Sequence, residues 1–154
     1  MTSMVNPALG SDPPVQLFRI VLTLATHLRT RMDQRLAEVG LTTQQAGVLT
    51  FIAQSADPPT LGDAARSLGT SHQNARQVVA ALERKGMVDV LADAVDGRVR
   101  RLAITPRVAE TFESRDLTDH AMVATWMSVL DEDEQRRAVG LLDRLLRDLV
   151  ATAE

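Results

Sequence analysis

The chain has 154 residues, 45% of them hydrophobic and 24% charged, which suits one domain, or one reading unit with helices that pair it to a second copy, and excludes wholesale disorder. With no cysteine and three scattered histidines, disulfides and thiol redox sensing are excluded, and no classical zinc site, metal or cofactor is expected. The net charge of −3 is unevenly spread: residues 60–107 hold eight basic and five acidic side chains, so this segment is +3 and the remainder −6. A locally basic field is what a phosphate backbone responds to.

Residues 1–14, with three Pro and one Gly, read as a flexible arm. The arm has neither a basic start nor an apolar run, so it is not a signal peptide, and no apolar stretch approaches the roughly 20 residues a bilayer span needs. A cytoplasmic location is expected. From Val15 to about residue 38, Phe18, Val21, Leu22, Ala25, Leu28, Met32 and Leu36 recur at three- and four-residue steps, predicting a helix that Gly40 stops. A second helix is expected from Thr42 or Thr43 to about Gln54. Pro58-Pro59 breaks it, Thr60 caps a short third helix, and Gly69 ends that helix. Thr70 or Ser71 caps a fourth, closed by Gly86. Residues 87–91 and 99–105, aliphatic and β-branched on either side of an Asp/Gly turn, predict a hairpin. Thr105-Pro106 then starts a fifth helix running to about Val129. Asp131 and Glu134 have capping-box spacing, and Ala138, Leu141, Leu142, Leu145, Leu146, Leu149 and Val150 give the sixth helix a wide apolar stripe.

The expected fold is mainly α with a small β-hairpin wing. A winged helix-turn-helix spans 41–105, flanked by a dimerisation helix at 15–38 and C-terminal dimerisation helices at 106–152. The terminal helices carry more apolar surface than the small winged unit can cover, and two copies packed together would bury it. A homodimer also matches the two-fold logic of DNA operators.

At 100° per residue, Ala75, Val78, Val79 and Leu82 share one side of the fourth helix, which must face the core. Gln73, Gln77, Ala80 and Arg84 fall opposite, flanked by Asn74 and Arg76. Recognition helices meet base edges near their N-termini, here the stretch opened by Ser71, so Gln73, Asn74 and Gln77 are the base-edge candidates. Gln and Asn can pair with N6 and N7 of adenine, while Arg76 and Arg84 suit phosphates. The wing tip offers Arg98, with Arg100 and Arg101 close behind it, to a narrow minor groove, and Asp96 is spaced to pair with Arg98 and aim it. Thr42 and Thr60 stand at helix starts where phosphate can be held, although as ordinary caps they need no DNA. An enzyme is disfavoured for want of parts: no catalytic residues, clustered His and carboxylates, or phosphate-cradling Gly loop stand out. The other rival is a winged helix that has lost specific DNA binding and serves as a protein-interaction module; acidic or bulky apolar residues on the outward face would have supported it.

Leu41-Thr42-Thr43-Gln44-Gln45, Leu61 to Ser71, Val79 to Val88, Asp96-Gly97-Arg98 and Leu102 to Thr105 together resemble the MarR family of bacterial transcription regulators. The resemblance runs from about Val15 to Val150. It implies a dimer that binds double-stranded DNA at a pseudo-palindromic operator, usually represses, and is released by a small, often aromatic effector. By family position that ligand would sit among His27, Arg31, Phe51, Met122 and Trp126. Three positions depart from the family pattern: Gly97 where a second wing Arg is common, Gln77 where Arg is common, and Val90-Leu91 in place of a polar or basic pair. The lack of Cys excludes the peroxide-sensing mode of some relatives.

Overall fold

The computed structural model describes residues 12–112 and 116–152. The arm assigned to 1–14 lies outside the described residues except for its last three, and Pro13 and Pro14 already belong to helix α1, Pro13–Leu36. The helix therefore starts two residues before the apolar periodicity does, because proline is well tolerated in a first turn. A short 3-10 turn, Ala37–Val39, carries α1 into Gly40, whose φ of 68° makes the left-handed stop. Next come α2 (Thr43–Gln54), α3 (Leu61–Ser67) and α4 (His72–Arg84).

Each of these helices starts on a side-chain cap. Thr42 and Gln45 form a reciprocal capping box on α2, Thr60 and Asp63 form one on α3, and Ser71 accepts the Asn74 N–H on α4. Gly69 and Gly86, at φ 58° and 67°, terminate α3 and α4. Strands β1 (Val88–Ala92) and β2 (Arg100–Ile104) pair antiparallel, with Val90 opposite Leu102 and Leu91 opposite Arg101. Beyond β2, the residues expected to form one long fifth helix contain α5 (Pro106–Phe112) and α6 (Asp116–Met127), with 113–115 outside the described residues. α6 ends two residues before Val129. Helix α7 (Glu132–Ala151) opens on the Asp131–Glu134 capping box.

The chain divides into two compact units, residues 1–108 and 109–154. The first holds the buried core, built from Leu36, Leu41, Val48, Leu49, Ile52, Ala64, Ala65, Ala75, Val78, Val79, Leu82, Met87, Val88, Leu102 and Val108. Full burial of an aliphatic side chain such as Leu82 or Leu102 contributes about 1.5–3 kcal/mol. In the second unit, Gln135 at the start of α7 donates to the carbonyls of Met127 and Leu130, tying the end of α6 to the next helix. Among the described residues no helix is long and apolar enough to cross a membrane.

Candidate nucleic-acid interface

Helix α4 carries the candidate reading face. Ala75, Val78, Val79 and Leu82 are buried, while Gln73, Arg76, Gln77 and Arg84 are exposed, as the periodicity predicts. His72, the first residue of α4, is exposed beside Gln73; it carries no pattern signal and sequence reasoning passed over it. Asn74 is half-buried, and its amide Nδ2 donates to the Thr70 hydroxyl at 2.8 Å. One of its two amide N–H donors is thereby committed to the turn, leaving the other and the carbonyl oxygen for further contact. Ala80 is half-buried between the two faces.

The wing is ordered by carboxylates. Asp93 accepts the backbone N–H groups of Val95 (2.8 Å) and Asp96 (3.0 Å), and also Nε of Arg101 (2.6 Å). These contacts, the Asp96 N–H foremost, hold its carboxyl down to about 2. Asp96 accepts the backbone N–H of Arg98 at 3.0 Å. It therefore positions Arg98 through the main chain and not through the guanidinium, a correction to the side-chain pairing that the spacing suggested. Arg101 sits apart from Arg98 and Arg100 in role: besides Asp93, its guanidinium donates to the Pro58 carbonyl at 3.2 Å. Among the described residues, Arg76, Arg84, Arg98 and Arg100 have no ion-pair partner, whereas Arg66 is paired with Asp63 and Arg101 with Asp93. Four uncompensated cations thus stand on one helix and the adjoining ribbon.

Thr42 and Thr60 are caps. The single Thr60 hydroxyl proton goes to Asp63 Oδ2 at 2.7 Å, and the Thr60 hydroxyl oxygen accepts the Asp63 N–H. Thr42 accepts the Gln45 N–H. The Gln45 side chain is the one buried polar group among the described residues, and it accepts from Lys85 Nζ at 2.8 Å. Lys85, the single lysine of the chain, also donates to the Gly40 carbonyl. This link between the end of α4 and the start of α2 spans forty residues of sequence, so no local pattern reveals it. Of the proposed ligand residues, His27 and Arg31 are exposed on α1 and Phe51 is half-buried on α2, all in the first unit. Met122 and Trp126 are half-buried on α6 in the second. Among the described residues no cluster of His and carboxylates could hold a metal ion.

Residues 39–99, the segment from the α1–α2 junction to the wing, match the family model described as MarR family. No curated protein matches the chain. Among solved structures, a MarR protein from Peptoclostridium difficile has a TM-score of 0.82 at 20% identity, covering 99% of this chain and 96% of its own. The Staphylococcus aureus MepR–DNA complex has a TM-score of 0.75 at 24% identity, covering 90% and 99%. A protein described as transcriptional regulator PA3341 has a TM-score of 0.75 at 26% identity, covering 86% and 97%. Over residues 39–99 the chain is thus similar to the MarR family, and along most of its length it shares its fold with these solved structures.

Proposed function

We propose that the chain is a DNA-binding transcription regulator that works as a homodimer on a pseudo-palindromic operator, represses, and is released by a small-molecule ligand. The carrying observation is the polar outward face of α4 set beside a carboxylate-ordered wing, with Arg76, Arg84, Arg98 and Arg100 free of ion-pair partners among the described residues. In this reading Gln73, Asn74 and Gln77 reach base edges near the Ser71 cap, and Arg76 and Arg84 hold phosphates. Arg98, supported by Asp96 and Arg100, enters the adjacent minor groove. The solved MepR structure in complex with DNA, a protein of the same fold, is in keeping with it.

Dimerisation through the terminal helices has its own support. α1 exposes Leu17, Phe18, Ile20 and Leu22, and α7 exposes Leu141, Leu142, Leu145, Leu146 and Leu149. Rows of this kind mark surfaces that expect a partner. The effector pocket around His27, Arg31, Phe51, Met122 and Trp126 rests on family position alone. The test of the whole reading is fluorescence anisotropy with the duplex upstream of the protein's own gene against a random duplex, at two salt concentrations. Tighter and salt-sensitive binding to the upstream duplex is expected. Equal binding to both at low and high salt would overturn the specific-regulator reading.

A further inference from the structure

The Asp93–Arg101 pair bridges the hairpin on the face that also carries Leu91, and its contacts lead in two directions. Toward the tip, Asp93 gathers the Val95 and Asp96 N–H groups, its own N–H donates to Val99 O at 2.9 Å, and Val99 N–H donates to Asp96 O at 2.9 Å. Ala94 and Gly97 are thus the interior positions of the tip without a bond of this set. Toward the reading helices, Arg101 reaches Pro58 O, Leu102 N–H donates to Pro59 O at 2.8 Å, and Thr60 forms an isolated bridge with Arg101. Thr60 is in turn the cap of α3. A continuous line of bonds therefore runs from the wing tip to the start of the helix that packs against α4.

We infer that Asp93 and Arg101 are positioning residues, a staple that fixes the pose of the wing relative to α3 and thereby places Arg98, and that Arg101 is not itself a DNA contact. The inference rests on the DNA-binding reading for its consequence, though not for its geometry. Its distinguishing feature is a sign. Replacing Asp93 by Asn removes a negative charge beside the basic wing, and charge alone would tighten DNA binding and steepen its salt dependence. A staple predicts the reverse, because the freed tip no longer presents Arg98. The alternative for Arg101, a direct phosphate contact, would leave the Asp93 carboxylate as a competitor for its guanidinium, and its removal would again be favourable.

The experiment combines two readouts on the full chain. Backbone amide order parameters of residues 94–98 are measured by NMR in wild type, Asp93→Asn and Arg101→Ala, with melting curves to establish that each variant is folded. Values near about 0.85 in wild type should fall below about 0.6 in both variants; unchanged values would overturn the staple whatever the DNA data show. Anisotropy with the upstream duplex is then run on the same proteins and in an Arg98→Ala background. Asp93→Asn should bind roughly tenfold more weakly, the scale of one lost charged contact, and should cost nothing further once Arg98 is absent. Tighter binding by Asp93→Asn, or a full additional loss in the Arg98→Ala background, would overturn the placement of Arg98. If wild type itself fails to prefer the upstream duplex, the regulator reading falls, and the order parameters still decide the staple.

Discussion

Helices α4 and α7 are amphipathic to the same degree, yet α4 buries Ala75, Val78, Val79 and Leu82 while no described residue of α7 is buried. An apolar stripe says that a face needs covering and is silent about what covers it. In the first unit α2, α3 and β1 supply the cover, so α4 is held by its own chain. For α7, Leu142 and Leu145 are 43% and 40% exposed, and no cover for the stripe is seen among the described residues. The two helices should therefore respond differently to damage, one through folding and the other through association.

The largest effect should come from the buried side. Leu82, fully buried on α4, is expected to cost about 3 kcal/mol on replacement by Ala, from lost transfer energy and the cavity left behind. The melting-temperature drop relative to wild type should not depend on protein concentration, and a loss under about 1 kcal/mol would break the comparison. Leu145→Glu should leave the folding of one chain nearly intact. Instead it should raise the dimer dissociation constant by roughly a hundredfold or more, since a buried unpaired charge at an interface costs several kcal/mol. Sedimentation across a concentration series reads this directly. A wild type that stays monomeric at high concentration would remove the second arm of the comparison.

Smaller effects belong to the outward face of α4 and the wing. Arg98→Ala should weaken specific and random DNA alike and lower the magnitude of the salt slope by about one, the signature of one phosphate-neutralising group. An unchanged slope would detach the wing from DNA. Gln77→Ala should instead relax preference at one base per half-site, a discrimination of about 1–3 kcal/mol at that position. A selection experiment that returns the wild-type consensus would move the reading elsewhere on α4.

What the sequence revealed and what it hid divide along the range of the interaction. The caps at Thr42, Thr60, Ser71 and Asp131 and the glycine stops at Gly40, Gly69 and Gly86 are contacts across one to four residues, and a pattern of types at fixed spacing is enough to find them. The two faces of α4 follow from period alone. Asp93 with Arg101 needs the hairpin register, Lys85 with Gln45 needs the packing of α4 on α2, and Asp33 with Thr43 needs the turn at Gly40. Arg101 could be counted as a wing cation in the sequence because charge is local information. That its charge is already spent on Asp93 and Pro58 is tertiary information.

Two capping carboxylates, Asp33 and Asp63, supply the smallest prediction, confined to the first unit. Asp33 on α1 accepts both the Thr43 N–H (2.6 Å) and the Thr43 hydroxyl (2.7 Å), and these hold its carboxyl below the usual carboxylate range. Asp63 is lowered in the same way by the N–H and hydroxyl of Thr60. A carboxyl whose folded pKa lies below its unfolded value of 3.8 adds stability that is fully present above that value. The contribution is lost as pH falls through the folded pKa. Stability should accordingly be flat from neutrality down to about pH 5 with respect to these groups and decline below pH 4. Asp33→Asn keeps the shape but accepts more weakly and cannot titrate, so it should cost about 1 kcal/mol at pH 7 and flatten the acid decline. Urea melts at pH 7 and pH 3 provide the check. If the two proteins lose stability in parallel between those values, the α1–α2 junction is not held by this carboxylate, and the first unit owes its integrity to its apolar core alone.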